Sequence, residues 1–277
     1  MNKKILISLS VIVAVAAIVV GGTTAYFSDT ETSQGNTFTA GAIDLTVDSQ
    51  QHYNGNVCVW DGGLQNADGT LGAWVWQGDS PYPEPGLYCD GSWEATDLGA
   101  QQFFNFADIK PGDKGENTIS LHVINNDAWV CAAVSNLSSD DNGCTEPESD
   151  TNSGNDTTCG NPGVGEGELD DTMVWTIWRD DGVGERHEGK CDNIHQDNEA
   201  ILASGHPVNG VLPLYDSTTQ TGPLAGGQTS CLGVSWSLPL ATGNEVQTDS
   251  MTGDISFSVV QSRNNEDFRC VPLDVYP

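Results

Sequence analysis

The sequence predicts an all-β fold: an antiparallel, jelly-roll-like β-sandwich with long irregular insertions, preceded by a hydrophobic signal helix. Apolar and polar residues alternate in six or more short segments, which is the pattern of strands with one buried face. No convincing amphipathic helix follows the N-terminal apolar run, whereas a parallel α/β sheet needs crossover helices. An antiparallel sandwich is therefore the fold class that this pattern favours.

Residues 1–25 have the composition of a secretory signal peptide. Two lysines precede a mostly apolar run over residues 5–20, and the small residues Thr23 and Ala25 stand at the positions that a signal peptidase recognises. The predicted cut after Ala25 makes Tyr26 the new N-terminus and exports the protein. An uncleaved membrane anchor is the alternative, although the run is slightly short of the ~20 residues that span a bilayer. Membrane contact is therefore expected only through the signal peptide before cleavage.

The sandwich domain is predicted over residues 43–277, after a segment at 26–42 that has few apolar residues. That segment is a poor strand by itself but can lie extended in a groove. The apolar positions change phase beside Gly41, which indicates a break before the first strand. Strands are predicted at Ile43–Val47, Ile119–Val123, Trp129–Val134, Met173–Ile177, Ile201–Leu202, Leu232–Leu238 and Ile255–Val259.

A tight turn is predicted at Lys110-Pro111-Gly112-Asp113. Proline presets φ at the first central position, and glycine accepts the positive φ of the second. The turn leads into the strand at Ile119–Val123. Because only a few polar residues around Asn125-Asn126-Asp127 separate this strand from the next, the two are predicted to form a hairpin.

Three insertions, at about 50–101, 136–171 and 179–199, are predicted to lack regular structure. The first places tryptophans among glycine and proline turns, so we expect it to be irregular surface structure. Exposed aromatic side chains of this kind can bind sugars, and a glycan-binding insert is the alternative to packing over the sandwich edge. The second is rich in glycine and acidic residues and is expected to be an exposed decoration.

The third insertion concentrates carboxylates amid glycines and suggests a calcium site. Calcium takes six to eight hard oxygen ligands on flexible loops, although the spacing here differs from that of an EF-hand. A merely solvated acidic loop is the alternative. The fold requires no cofactor, and calcium is the one cofactor that this loop suggests. The candidate ligands are Asp180, Asp181, Asp192, Asp197 and Glu199.

The formal net charge of −30 at pH 7 restricts the partners that this protein can have. Such a surface repels nucleic acid and anionic membranes and attracts divalent cations. A high-salt habitat is an equally good explanation of the charge, because screening would let such subunits approach one another. Nucleic acid is therefore excluded as a partner.

Eight cysteines downstream of an export signal predict disulfides. Zinc is the competing use of cysteine, but zinc sites use closely spaced pairs, and no Cys-x-x-Cys pair occurs. The connectivity stays open, since eight cysteines allow 105 pairings. A bridge between Cys144 and Cys159 is favoured because the residues between them are small, polar or turn-forming. The cysteines are Cys58, Cys89, Cys131, Cys144, Cys159, Cys191, Cys231 and Cys270.

Three ordered blocks stand at the junction between the signal segment and the first strand. They are Ala25-Tyr26-Phe27-Ser28-Asp29-Thr30-Glu31, Gly35-Asn36-Thr37-Phe38 and Ala40-Gly41-Ala42-Ile43-Asp44-Leu45. This opening resembles that of proteins processed by the SipW type of signal peptidase, the TasA and camelysin family. Two later blocks, at residues 108–113 and 257–265, are similar to the same family.

This resemblance implies a secreted structural protein of the cell surface or biofilm matrix. TasA-like proteins fold as jelly rolls and assemble into extracellular fibres, so the implied partners are other copies of the chain and a SipW-type signal peptidase. Assembly by donor-strand exchange is also implied: after cleavage, the segment from Tyr26 adds as a strand to a neighbouring subunit. Tyr26, Phe27 and Phe38 would anchor this donor strand.

Catalysis has to be considered because camelysin has been regarded as a metallo-endopeptidase. The common zinc proteases carry His-Glu-x-x-His on a helix, and here His187-Glu188 lacks the second histidine. The chain also lacks a Gly-x-Ser-x-Gly nucleophile elbow and phosphate-binding or dinucleotide motifs. The sequence therefore predicts a protein without an active site. A monomeric glycan-binding module and a camelysin-like protease are the two alternative functions.

Overall fold

Strand pairing divides the protein into two antiparallel sheets. A computed structural model describes residues 43–150, 155–182 and 189–271, all within the compact unit Gly41–Pro277. Strands make up 44% of the structure and helices 5%. The strands are β1 (Asp44–Tyr53), β2 (Asn56–Gln65), β3 (Leu71–Gln77), β4 (Trp93–Thr96), β5 (Lys114–Ile124), β6 (Ala128–Asp141), β7 (Val174–Arg179), β8 (Ile201–Gly205), β9 (Gly210–Tyr215), β10 (Thr229–Ser237) and β11 (Asp249–Gln261). The helices are α1 (Glu146–Ser149), α2 (Leu169–Thr172) and a 3-10 turn at Asn244–Val246.

The larger sheet, sheet A, has the strand order β3-β2-β1-β5-β10-β7-β8, with β4 also paired to β1. Its centre is the pairing of β1 with β5, which runs in one register from Asp44 opposite Ile124 to Tyr53 opposite Gly115. Apolar residues at every second position of β5 are buried, and Leu121 is completely inaccessible. Sheet A therefore has the alternating inner face that the sequence predicted for the Ile119–Val123 segment.

The smaller sheet, sheet B, has the order β11-β6-β9. Its central strand, β6, pairs with β11 along nearly its whole length, with one register shift between Thr252 and Asp254. Apolar residues of both sheets form the main core, including Val47 and Ile119 of sheet A and Val130 and Leu214 of sheet B. The two layers with a shared core confirm the predicted all-β sandwich.

The predicted hairpin between the Ile119–Val123 and Trp129–Val134 segments is wrong. These segments are β5 and β6, and they belong to different sheets. Asn125 takes a φ of 77°, and the chain crosses from sheet A to sheet B within three residues. Pattern and spacing are the same for a hairpin and for such a crossing, because both need two amphipathic strands and a short polar link. The preceding Lys110–Asp113 turn is confirmed, with Asp113 N–H donating to Lys110 O at 2.9 Å.

The prediction that residues 50–101 lack regular structure is also wrong. The last four residues of β1, all of β2 and β3, and the short β4 lie in this range. Trp60 and Trp74 face each other across the β2–β3 pair, with ring centroids 5.8 Å apart. The sequence pattern did not predict β2 and β3 because glycines and polar residues interrupt the apolar alternation in both strands. Cross-strand aromatic pairs and backbone bonds hold the pairing instead.

Of the other two insertions, the second is shorter than predicted and the third agrees with the prediction. β6 continues to Asp141, so the second insertion begins after it and contains only the single-turn helices α1 and α2. β7 ends at Arg179 and β8 begins at Ile201, which leaves the third insertion at the predicted place. No helix in the described ranges has both the length and the hydropathy needed to cross a membrane.

Four disulfides pair the eight cysteines, and three of them connect a loop to a sheet. Cys144–Cys159, the bridge that the sequence favoured, closes the second insertion upon itself. Cys58–Cys89 joins β2 to the loop after β3, and Cys191–Cys231 joins the third insertion to β10. Cys131–Cys270 ties the C-terminal segment to β6 across a sequence separation of 139 residues.

Candidate functional site

An apolar cleft of about 640 Å³ lies between the two sheets. Sheet A lines it with Ile177 of β7 and Val234 of β10, and sheet B lines it with Val134 of β6 and with Ile255 and Phe257 of β11. The cleft is partly open to solvent, and apolar atoms make up most of its lining surface. We call it the intersheet cleft and treat it as the candidate binding site.

The cleft lies between sheets of unequal size. Sheet B has three strands, whereas sheet A has eight, and the segment between β4 and β5 completes the cleft lining with Phe103 and Phe104. β11 pairs with β6 along one side, and no strand of the described ranges pairs with its other side. Its inward side chains Ile255, Phe257 and Val259 touch the core but are only partly buried. This edge offers unpaired backbone groups beside an apolar face.

The predicted cleavage and donor-strand residues lie outside the described residues. These are Ala25, Tyr26, Phe27 and Phe38, together with the whole of 1–42. The described chain starts where the sandwich domain was predicted to start. Ile43 and Leu45 pack against the main core and Val47 is buried within it, so this end of β1 is part of the sandwich.

Two carboxylates of the predicted calcium loop are buried and accept hydrogen bonds from the loop's own backbone. Asp180 is fully buried and accepts from the backbone N–H groups of Cys191 at 2.8 Å and Asn193 at 2.9 Å. Burial raises the pKa of Asp180, and these two N–H bonds oppose that rise. Glu199 accepts from the N–H groups of Gly182 at 2.8 Å and Gln196 at 3.0 Å.

The other three candidate ligands of this loop face different surroundings. Asp181 pairs with Arg179 and accepts a 3.1 Å hydrogen bond from the Tyr215 hydroxyl. Asp192 accepts from the backbone N–H of Ile194 at 3.0 Å, and Asp197 is exposed. The structure thus places the five residues in one loop but gives most of them donors within the protein.

Most aromatic residues of the first insertion serve as packing. Trp76 is 7% exposed within a second core cluster around Tyr53 and Trp236. Trp93 is partly buried and donates its indole N–H to Val47 O at 3.1 Å. Trp60 differs, with 54% of its surface exposed. One exposed indole of this kind is a weak basis for a sugar-binding platform.

The described histidines do not form a metal centre. In the part of the chain that the structure describes, the only three His, Cys, Asp or Glu ligand atoms that lie within 4.8 Å of one another belong to Cys144, Asp156 and Cys159, and the two cysteines are joined in a disulfide. His122 on β5 bonds to Asp48 Oδ2 at 2.6 Å and to Thr229 Oγ1 at 2.9 Å, a row of side chains across adjacent strands. His187 lies outside the described residues.

The fold, the cleft and the cysteine pairing define an antiparallel β-sandwich with four internal disulfides, whose two sheets line a partly open apolar cleft. Residues 1–56 match the family model of the camelysin metallo-endopeptidases, a family that includes TasA. The resemblance noted in the opening residues is confirmed over this range, which ends at the first residue of β2. All residues that line the cleft lie beyond the match. A search of the curated proteins finds no match to this chain.

Proposed function

We propose that this protein is a secreted structural subunit that polymerises into extracellular fibres of a surface layer or biofilm matrix. The observation that carries the proposal is the apolar intersheet cleft beside the unpaired edge of β11. The family match supports the location, since camelysin and TasA family members are secreted or surface-associated. Release from the signal peptide by a SipW-type peptidase, with Tyr26 as the new N-terminus, completes the proposed maturation.

The occupant of the cleft is proposed to be the segment 26–42 of a second copy. Its aromatic residues Tyr26, Phe27 and Phe38 would enter the space between Val134 and Phe257. Full burial of one such side chain contributes roughly 1.5–3 kcal/mol, so two or three anchors can offset the ordering of an extended segment. Backbone pairing with the free side of β11 would add strand-to-strand hydrogen bonds.

Cleavage would act as the trigger of assembly. A segment still joined to a signal helix in the membrane cannot thread into another subunit, whereas a free N-terminus can. The net charge of −30 opposes close approach of two copies, so assembly should be favoured by salt or divalent cations that screen this repulsion.

Neither alternative function gains support from the site. A metallopeptidase would need a metal centre, and the one group of potential metal ligands among the described residues includes the disulfide-bonded Cys144 and Cys159. A glycan-binding module would need several exposed aromatic rings on one face. Trp60, Tyr82 and Tyr88 are exposed, whereas Trp76 and Trp93 pack against core residues. The name of the matched family refers to peptidase activity, but the match covers only residues 1–56 and therefore ends at the first residue of β2.

A synthetic peptide tests the proposed occupancy directly. A peptide of residues 26–42 should bind the protein lacking Tyr26–Gln34 at one peptide per chain, measured by isothermal titration calorimetry. A peptide with Phe27→Asp and Phe38→Asp should bind at least tenfold more weakly, because two charged groups would enter an apolar cleft. Equal affinity of the two peptides, or no binding of either, would contradict the proposal.

Two protein variants locate the binding site. Ile255→Ser removes an apolar side chain from the cleft face of β11 and should weaken peptide binding by about tenfold, as expected for the loss of 1–2 kcal/mol of apolar contact. Ser258→Ala alters an exposed position of the same strand and should leave the affinity unchanged. Equal effects of the two substitutions would place the peptide elsewhere.

A further inference from the structure

Four carboxylates lie together where β6 ends and β11 begins. We call Asp141, Asp156, Glu168 and Asp249 the β6–β11 carboxylate cluster. Asp141 and Asp249 are direct cross-strand partners in the β6–β11 pair. The backbone N–H of Glu168 donates to Asp249 Oδ2 at 2.6 Å. Thr158 Oγ1 lies 2.7 Å from Asp156 Oδ1 and 3.2 Å from Glu168 Oε1, which connects the remaining two members.

Three of the four carboxylates, those of Asp141, Glu168 and Asp249, have one buried oxygen that no hydrogen-bond donor satisfies. Asp141 is only 3% exposed: its Oδ1 accepts from Gly143 N–H at 2.9 Å, while its Oδ2 is buried without a partner. Asp249 Oδ1 and Glu168 Oε2 are buried and unpartnered in the same way. Asp156 Oδ2 lies 3.0 Å from Cys159 Sγ, a disulfide sulfur that has no hydrogen to donate.

Among the residues that the structure describes, no cationic side chain forms an ion pair with this concentration of buried negative charge. The ion pairs of the described residues lie elsewhere, at Lys110, His122 and Arg179. Burial, reinforced by neighbouring carboxylates, raises the pKa of Glu168 to about 7. Burial is also the main cause that raises the pKa of Asp249 to about 6. Like charges directly opposite each other on paired strands destabilise a sheet, so this arrangement calls for a counter-charge.

We propose that the β6–β11 carboxylate cluster binds a divalent cation and that calcium is the ion that suits it best. All the ligand atoms are hard oxygens, which calcium and magnesium prefer and zinc does not. No three of the four carboxylates place oxygens within 4.8 Å of one another, so side-chain rotation must draw them onto the ion. Calcium tolerates ligands that are not preassembled more readily than magnesium does, because calcium forms bonds of 2.3–2.6 Å in flexible geometry.

The site differs from the predicted calcium loop at Asp180–Glu199 in what its oxygens contact. In that loop, backbone N–H groups already satisfy Asp180 and Glu199, whereas the cluster leaves its inner oxygens free. The position of the cluster in the fold gives a bound ion a structural role. It lies beside the Cys144–Cys159 loop and at the ends of β6 and β11, the two strands that line the intersheet cleft farther along. A bound ion would therefore fix this end of sheet B.

Thermal unfolding of the secreted protein in chelator and in calcium tests the proposal. Wild-type protein should melt about 5 °C higher in calcium chloride at a hundredfold excess over Kd than in EGTA, because the ion binds only the folded state. Magnesium chloride at the same concentration should give a smaller shift. Titration calorimetry should find a site that takes one calcium ion per chain.

Two variants separate this cluster from the predicted loop. Glu168→Gln with Asp249→Asn should abolish the calcium shift and, in EGTA, should melt at or above the wild type, because repulsion between carboxylates is relieved. The control, Asp192→Asn with Asp197→Asn, removes two charges from the exposed part of the other loop and should keep the full shift. If the double variant fails to fold, Asp156→Asn alone serves, since the amide oxygen still accepts the Thr158 hydrogen bond.

Three outcomes would overturn the assignment. An unchanged melting temperature of the wild type in calcium would mean that shared protons, not a cation, neutralise the cluster. A calcium shift retained by the cluster variants would place the ion elsewhere. Loss of the shift only in the control would place it in the loop between Arg179 and Ile201.

Discussion

Asp216, the residue that follows β9, accepts a 3.1 Å hydrogen bond from the backbone N–H of Cys270. Its other carboxylate oxygen accepts from the backbone N–H groups of Thr218 and Thr219 at 2.7 and 3.1 Å. A single side chain, 3% exposed, therefore joins the end of β9 to the segment that carries the Cys131–Cys270 disulfide. The C-terminal segment is thus held to sheet B by a covalent bond and a buried carboxylate together.

Asp216→Ala should lower the free energy of unfolding by about 3 kcal/mol, because it leaves several backbone donors without an acceptor. Urea denaturation at pH 7 measures this change. Asp267→Ala, at an exposed position in the same C-terminal segment, is the control and should stay within about 0.5 kcal/mol of the wild type. Equal effects of the two substitutions would show that the Asp216 hydrogen bonds contribute little.

The same carboxylate predicts a pH dependence. Burial alone raises the pKa of Asp216, but hydrogen bonds from Thr218, Cys270 and Thr219 outweigh burial and lower it below 3.8. Its contribution to stability is therefore present above the unfolded-state pKa and is lost as the pH falls through the lower folded-state pKa. The stability difference between wild type and Asp216→Asn should shrink below about pH 4. A difference that is constant from pH 7 to pH 2.5 would contradict this assignment.

All eight cysteines are expected to be oxidised in the exported protein, as they are paired in the structure. Alkylation without reductant should therefore label no thiol, and two or more labelled thiols would refute full pairing. The chain-entropy relation gives ~5 kcal/mol for Cys131–Cys270 and ~3 kcal/mol for Cys144–Cys159, because the first closes a much longer loop. Double Cys→Ser variants of each pair, compared by thermal unfolding, should rank in that order.

The mature N-terminus is expected at Tyr26. Intact-mass measurement of the secreted protein should give the mass of residues 26–277. A mass that includes Met1 to Ala25 would show that the signal segment is retained as an anchor, and assembly through a free N-terminus would then be excluded.

Local patterns in the sequence were sufficient to predict the fold class. The alternation in β5 at Ile119, Leu121 and Val123 depends only on neighbouring residues, so it predicted a half-buried strand. The Cys144–Cys159 bridge also follows from local spacing. In β2 and β3 the alternation is interrupted at Gly62, Gly63 and Gly72, and only the pairing of the two strands reveals them.

The candidate sites depend on contacts that no local pattern contains. The acidity of the second insertion was evident, but Asp141 meets Asp249 only through the register of β6 and β11, which lie far apart along the chain. The intersheet cleft likewise is lined by residues of both sheets. The contact between Gly233 of β10 and Trp178 of β7 also depends on strand pairing. A Cβ at Gly233 would lie 2.0 Å from the Trp178 ring, so the glycine makes room for this indole.

Assembly of the mature protein is the central claim, and a truncation tests it most directly. Mature protein that begins at Tyr26 and a variant lacking Tyr26–Gln34 should be purified side by side and examined by negative-stain electron microscopy at the same salt concentration. We expect fibres from the first, and soluble monomers that still melt cooperatively from the second. Fibres of the truncated protein that match those of the full-length mature protein would contradict donor-strand exchange for this chain.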